Sequence, residues 1–213
     1  NENMKQIYFV RHGESEGNIK NIWQGEKEPL SEEGIRQAKI LAERFLHIQV
    51  DIVLASADER ARQTATIVHE VIQKPIEFRN DLVEMRKPSE MHGRPMLDEK
   101  AQEIQKLLIE HNHDPDWHYS DEENFLDRKT RVARVANILL ERQEQIFLVV
   151  THATFIRTML LYMLLGDDLT SQNYYQFLRF FHVFNTGISL CRYLDDESRW
   201  QLVHWNDIAH LGQ

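Results

Sequence analysis

Polar residues able to handle an anion stand directly after three apolar, β-prone runs. Arg11-His12 follows Ile7-Tyr8-Phe9-Val10. Ser56 follows a run ending at Ala55, with Arg60 about one helical turn further on, and Thr151-His152 follows Ile146 to Val150. Taken singly, each has an ordinary reading. A histidine after a strand is a loop residue or bonds backbone, and Arg60 within Glu59-Arg60-Ala61-Arg62 is a solvated helix charge. Taken together, at one edge of a parallel sheet, they place two imidazoles and two guanidinium groups around one point. That set suits an anionic substrate, because arginine binds phosphate oxygens with paired, charge-assisted hydrogen bonds.

The elements that would position them follow from pattern. Ser31-Glu32-Glu33-Gly34 opens a helix, with Ser31 as N-cap and the acids at the positive end of the helix dipole. Ile35, Ala38, Ala42, Phe45 and Leu46 then give it one apolar face through about His47. Residues 50–55 read as a second strand. Asp58 is placed to cap the next helix, which runs to about Ile72. Residues 75–79 read as a third strand, 128–141 as a helix, 146–150 as the most strand-like run, 153–165 as a helix, and 187–193 and 200–205 as two closing strands. Alternating strands and helices predict a three-layer α/β/α sandwich with a mostly parallel central sheet. In such sheets ligands sit beyond the carboxyl ends of the strands.

Between these elements, residues 85–127 are interrupted by Pro88, Gly93, Pro95 and Pro115, with one helix predicted at 98–110. This stretch is read as an inserted cap within a single domain spanning residues 1–213. Trp117, Tyr119 and Phe125 are read as packing within it, with lining a pocket as the alternative, and Arg86 and Lys87 as solvated surface charge, with extra contacts to a charged substrate as the alternative.

Bulk properties set outer bounds. Of 213 residues, 42% are hydrophobic and 28% charged, as in soluble globular proteins. A net charge of −9 argues against nucleic acid as the main partner, since phosphate backbones call for basic surfaces. Positive charge for an anionic substrate must then be concentrated in a cleft. No apolar run approaches the length of a membrane span, and Asn1-Glu2-Asn3-Met4-Lys5 lacks the apolar stretch of a secretory leader; Met4 is read as the natural start. The one cysteine, Cys191, lies in Ile188-Ser189-Leu190-Cys191 and reads as a buried apolar residue. It suits a reducing, cytoplasmic setting. His111-Asn112-His113-Asp114 with His118 matches no common zinc spacing, so no metal site is expected there.

Arg11-His12-Gly13-Glu14-Ser15 with Asn18 resembles the motif of the histidine phosphatase superfamily, also called phosphoglycerate mutase-like. The resemblance continues in order through Gln24-Gly25, Leu30-Ser31-Glu32-Glu33-Gly34, Ser56 with Arg60-Ala61 and Thr64-Ala65, Val149-Val150-Thr151-His152, and Asn185-Thr186-Gly187-Ile188-Ser189. It implies that His12 is a nucleophile forming a phosphohistidine, and that Arg11, Arg60 and His152 bind the phosphoryl oxygens with Asn18 as a further donor. Gln24, Gly25 and Ala153 join them as substrate-binding positions. Ala153 stands where the family usually has glycine. The resemblance also implies an acidic proton donor after the third strand. Glu84 best matches that place, followed by Glu90 and then Asp81. No cofactor or metal is needed, because arginines serve as the charge clamp.

The expected activity is hydrolysis of a small phosphorylated substrate. Two alternatives stand beside it. One is phosphoryl transfer of the cofactor-dependent phosphoglycerate mutase type, whose longer segment after the acid strand is missing from residues 82–96. The other is a non-catalytic phosphate-binding module.

Overall fold

Apolar residues at every position of a strand require cover on both faces, and here two layers of helices supply it. The computed structural model describes residues 4–212, so Asn1 to Asn3 and Gln213 lie outside the described residues. Its sheet has six strands: β1 (Met4–Arg11), β2 (Ile52–Ser56), β3 (Ile76–Arg79), β4 (Ile146–Thr151), β5 (Ile188–Leu194) and β6 (Arg199–Asp207). Their order is β3-β2-β4-β1-β5-β6. The first four in that order are mutually parallel, and β5 and β6 add on antiparallel. The helices are α1 (Glu16–Ile19), α2 (Glu32–Phe45), α3 (Glu59–Ile72), α4 (Glu99–Glu110), α5 (Phe125–Glu141), α6 (Ala153–Leu165) and α7 (Ser171–Leu178).

Strand alternation divides the core in two. Ile7, Phe9, Leu54, Phe147 and Val149 point to one face, where they pack with Val132, Val135 and Leu139 of α5 and with Phe155, Ile156 and Met159 of α6. Val10, Val53, Ala55, Leu148 and Val150 point to the other, against Leu41, Ala42 and Phe45 of α2 and Ala61, Ala65 and Val68 of α3.

Register then gathers the polar residues. Arg11 pairs with Thr151 across β1 and β4, and Ala55 pairs with Val150 across β2 and β4. The three strands therefore end level, with β4 in the middle. Arg11-His12, Ser56 and Thr151-His152 leave the sheet side by side at its carboxyl edge.

The loop after β1 lies hard against the first turn of α2. A Cβ on Gly34 would stand 1.8 Å from the Glu14 carbonyl oxygen, and one on Gly13 would stand 2.5 Å from the Gly34 carbonyl oxygen. Only glycine permits that approach. Ser31 caps α2 as expected, its hydroxyl accepting from the Gly34 peptide N–H at 3.0 Å.

Three features depart from the sequence pattern. Helices α1 and α7 were not foreseen; each is short and begins with a reciprocal cap, Ser15 with Asn18 and Thr170 with Asn173. Helix α5 starts at Phe125 rather than 128, because Asn124 and Asp127 cap it reciprocally and Phe125 packs on Leu161, Leu169 and Tyr174.

The 85–127 stretch contains α4 and builds a small core of its own from Met91, Ala101 and Ile104 with Trp23 and Tyr119. Backbone bonds between Trp23 and both Gly93 and Arg94 tie it to the loop after β1. Among the described residues no helix is long and apolar enough to cross a membrane.

Candidate active site

A cleft of about 650 Å³ opens at the carboxyl edge of the sheet. Arg11, His12, Asn18, Gln24, Gly25, Arg60, Glu84 and Ala153 all line it, and His152 lies beneath with its ring centroid 5.1 Å from that of His12. The segments that carry these side chains are thus brought to one place.

His12 is 3% exposed. Its Nδ1 lies 2.7 Å from the Gly13 carbonyl oxygen, so Nδ1–H donates there and the Nε2 lone pair faces the cleft. The Arg60 Nε–H points at that lone pair from 3.3 Å. Burial, then Arg60, His152 and Arg11, hold the imidazole well below its ordinary value, so it is neutral.

Arg60 is buried and held at three points. Besides His12, its Nη1 donates to the Gly25 carbonyl oxygen at 2.7 Å and its Nη2 to Asp58 at 3.4 Å. Gly25 thus orients Arg60 through its backbone. Arg11 donates from Nη1 to the Val183 carbonyl oxygen at 2.7 Å, while its buried Nε–H meets no acceptor. Burial pushes its guanidinium down to about 10, which leaves it charged at neutral pH.

His152 is fully buried, with Nε2 at 2.9 Å from an Asp58 carboxylate oxygen and 2.8 Å from the Ser56 hydroxyl. Its Nδ1, like Arg11 Nε, is buried without a partner. Burial and Arg60 lower this imidazole against the opposing pull of Asp58 and Glu84. Unsatisfied buried nitrogens are costly.

Asp58 was expected to cap α3, yet it makes no side-chain cap bond. Its carboxylate instead accepts from Arg60 and from the Glu84 peptide N–H at 3.3 Å while holding His152. Burial acts to raise this acid, but His152, Arg60 and that peptide N–H outweigh it and hold it low.

Glu84 lies across the cleft, anchored on the start of α6. One carboxylate oxygen accepts from the peptide N–H groups of Met85 (2.9 Å) and Phe155 (3.0 Å), and the other from Thr154 (3.1 Å). Burial favours its protonated form; His152, these N–H groups and Arg60 overcome that and hold its pKa below the ordinary value, so it is ionised. The other acids weighed for the same role are engaged elsewhere. Glu90 pairs with Lys100 at 2.6 Å, and Asp81 pairs with Arg79 at 2.7 Å.

Asn18 and Gln24 sit at the rim. The Oδ1 of Asn18 accepts from the Ser15 peptide N–H, and Gln24 Oε1 accepts from the Ser15 hydroxyl at 2.7 Å. Both carbonyl ends are thereby fixed, and each amide NH₂ is left as the donating end. Lys87, expected as surface charge, lines the cleft instead. In the 111–118 stretch His111 stacks on Trp117 at 4.1 Å, and among the described residues no group of three or more His, Cys, Asp or Glu could hold a metal ion.

The two neutral imidazoles make stability pH-dependent. In an unfolded chain they titrate near 6.5. Below that pH the unfolded chain takes up protons that the native site refuses, so stability is full above about pH 6.5 and falls as the pH drops. Thermal melts should show a flat Tm from about pH 8 to 7 and a decline toward about pH 5. A Tm constant over the whole range would contradict buried neutral imidazoles at these positions.

Comparison with known proteins shows the family and the fold. The profile of the Histidine phosphatase superfamily (branch 1) matches residues 7–208. An adenosylcobalamin/alpha-ribazole phosphatase of Salmonella typhi is 42% identical over 81 residues, covering 38% of this chain and 40% of that protein. The alignment thus spans well under half of that relative. The Escherichia coli protein of the same name is 32% identical over 154 residues, covering 69% of this chain and 73% of its own. The crystal structure of a putative alpha-ribazole-5'-P phosphatase from Escherichia coli superposes with a TM-score of 0.76 at 25% identity, covering 95% of this chain and 97% of that one. With the profile spanning almost every described residue, the chain belongs to the histidine phosphatase superfamily, branch 1.

Proposed function

We propose that this protein is a phosphomonoesterase that hydrolyses a small phosphorylated substrate through a phosphohistidine on His12. The observation that carries the reading is the buried, neutral His12, whose Nε2 lone pair faces the cleft among Arg11, Arg60 and His152. Phosphatase-named relatives support the hydrolytic outcome. A cytoplasmic setting suits the single cysteine, Cys191, whose buried thiol is pushed up to about 12 and takes no part.

In the first half-reaction His12 Nε2 attacks phosphorus, the P–O bond to the leaving group breaks, and the phosphoryl group moves to the imidazole. Arg60 turns its Nε–H from the lone pair to an equatorial oxygen. Arg11 Nε and His152 Nδ1 gain the acceptors they lack, and Asn18 and Gln24 add neutral donors. His152, neutral in the free protein, takes up a proton from solvent as the anion binds and then donates from Nδ1 as an imidazolium, which Asp58 on one side and the phosphoryl charge on the other both favour. Ala153 keeps the wall small where α6 begins. Glu84 delivers a proton to the leaving oxygen. It is ionised in the free protein, so the proton arrives with the substrate monoanion, and the added negative charge raises its affinity for it. In the second half-reaction water attacks the phosphohistidine and loses its proton to Glu84. Phosphate leaves, Glu84 gives up its proton to phosphate or solvent, and His12 is restored.

The test is phosphate release from a panel of aryl and alkyl phosphates with chelator present. The parent protein should turn over both kinds. In kcat/KM, which reports only the steps up to the phosphohistidine, Glu84→Gln should slow alkyl esters by about 10²–10⁴-fold and nitrophenyl esters much less, because nitrophenolate leaves without a proton. Equal slowing of the two kinds would remove Glu84 from the proton-donor role. An isomerised phosphate ester in place of free phosphate would make the protein a mutase, and binding without turnover would make it a phosphate-binding module.

A further inference from the structure

The cleft has a neighbour. Trp23, Met85, Lys87 and Thr154 wall both the cleft and a second cavity of about 370 Å³ that adjoins it. Arg128 of α5 and Arg157 of α6 line this second space along with Lys87.

These three cations share one property: among the described residues no carboxylate pairs with any of them. Arg157 donates only to neutral oxygens, the carbonyls of Ala153 (3.3 Å), Leu178 (3.0 Å) and Phe181 (3.4 Å) and the Thr154 hydroxyl (3.2 Å). Lys87 Nζ reaches the Gln105 amide oxygen at 3.3 Å and lies 5.5 Å above the Trp23 ring. Arg128 is 5% exposed; its Nη1 reaches the Tyr174 hydroxyl at 3.5 Å, and its buried Nε–H meets no acceptor. Burial, and then Arg128 beside it, bring the Lys87 ammonium down to about 7.

The acids nearby act on this charge only from a distance: Glu84 and Glu122 oppose the lowering of Lys87 and Glu123 favours the charged Arg128, but each is bonded elsewhere. Glu123 is held by Arg131 at 2.6 Å, and Glu122 accepts from the peptide N–H groups of Tyr119 (2.6 Å) and Ser120 (2.8 Å). Asp114 and Arg179, which also line the cavity, are exposed. Two arginines and a lysine against a cavity, none in a direct ion pair, carry a desolvation cost that a bound anion offsets.

We propose that this cavity seats a second anionic group of the substrate, a carboxylate or phosphate on the same molecule as the transferred phosphoryl group, held by Arg128, Arg157 and Lys87. The substrate class is then a phosphorylated acid or a bisphosphate rather than a plain monoester. The proposal rests on the phosphomonoesterase reading for the identity of the ligand, but not for the existence of the subsite.

The experiment compares three probe series of matched chain length: alkyl phosphates, ω-carboxyalkyl phosphates and alkanediol bisphosphates. Specificity constants are measured for the parent, Arg128→Gln and Lys87→Gln. The parent should favour one of the doubly acidic series over the plain esters by roughly 10–100-fold, as expected for charge-assisted bidentate contacts. The favoured series identifies the group. Each substitution should cut that preference roughly tenfold; Lys87, being half-buried, gives an informative variant even if Arg128→Gln folds poorly. Equal constants for the three series in the parent, or a preference that survives both substitutions, would overturn the proposal.

Calorimetry on His12→Ala, which cannot turn the probes over, separates this outcome from the hydrolase reading. Tighter binding of the doubly acidic probe there, with no ester cleaved by the parent, would keep the subsite and discard the phosphatase. Cleavage of plain esters without any preference would discard the subsite alone.

Discussion

Alanine at position 12 is expected to remove phosphate release almost completely, by roughly 10⁴-fold or more, because the covalent route has no other nucleophile. Cys191, the one thiol, is buried and raised to about 12, and Glu84 is turned onto the start of α6. Rapid quench of the parent with substrate should trap an acid-labile phosphoryl adduct by mass spectrometry, and the variant should trap none. The fold should survive, since His12 sits at the edge of the sheet and its backbone holds position through its bond to Thr151. A variant as fast as the parent would refute the nucleophile assignment, and an adduct on another residue would move it there.

Losing Arg60 is expected to be the next largest effect, about 10³–10⁵-fold in kcat/KM by analogy with other arginines that stabilise a transferring phosphoryl group. The size follows from its position. One guanidinium touches the His12 lone pair, the Gly25 carbonyl and the Asp58 carboxylate. Arg60→Lys should recover little of the loss, because a point charge replaces neither the fork nor its three directions.

A second readout follows from charge. After burial, Arg60 is the largest influence holding the His12 imidazole low. Its removal raises that value, so a larger fraction of His12 is protonated at a given acid pH. The acid limb of the kcat/KM profile should therefore move to higher pH in Arg60→Ala. Near-parental turnover in Arg60→Lys, or an acid limb that stays in place in Arg60→Ala, would count against this geometry.

The legibility of the site in the sequence had a clear cause. Residues that end parallel strands must emerge at one edge, so Arg11-His12, Ser56 and Thr151-His152 could be placed together from strand patterns alone. Burial on both faces was equally legible, because β2 and β4 carry apolar residues with no polar alternation. Helix starts with a side-chain cap, such as Ser31 and Asp98, could also be read locally.

Long-range partners could not. Asp58 has the local pattern of an N-cap, but a buried imidazole contributed by β4's end competes for its carboxylate and wins. Lys87 looked like solvated charge until α4 and the Trp23 loop closed over it. Arg128 and Arg157 lie on helices whose periodicity marks only the core-facing stripe, and nothing in that periodicity says what the remaining face meets.

The order of residue types along the chain was therefore enough to place the strands, the mostly parallel sheet and the edge at which Arg11, His12, Arg60 and His152 gather, because strand and cap patterns are short-range consequences of sequence. Which carboxylate holds His152, and where cations without a paired carboxylate gather beside the cleft, were decided only in the folded molecule. Those choices depend on desolvation and on distances between segments that no local pattern encodes.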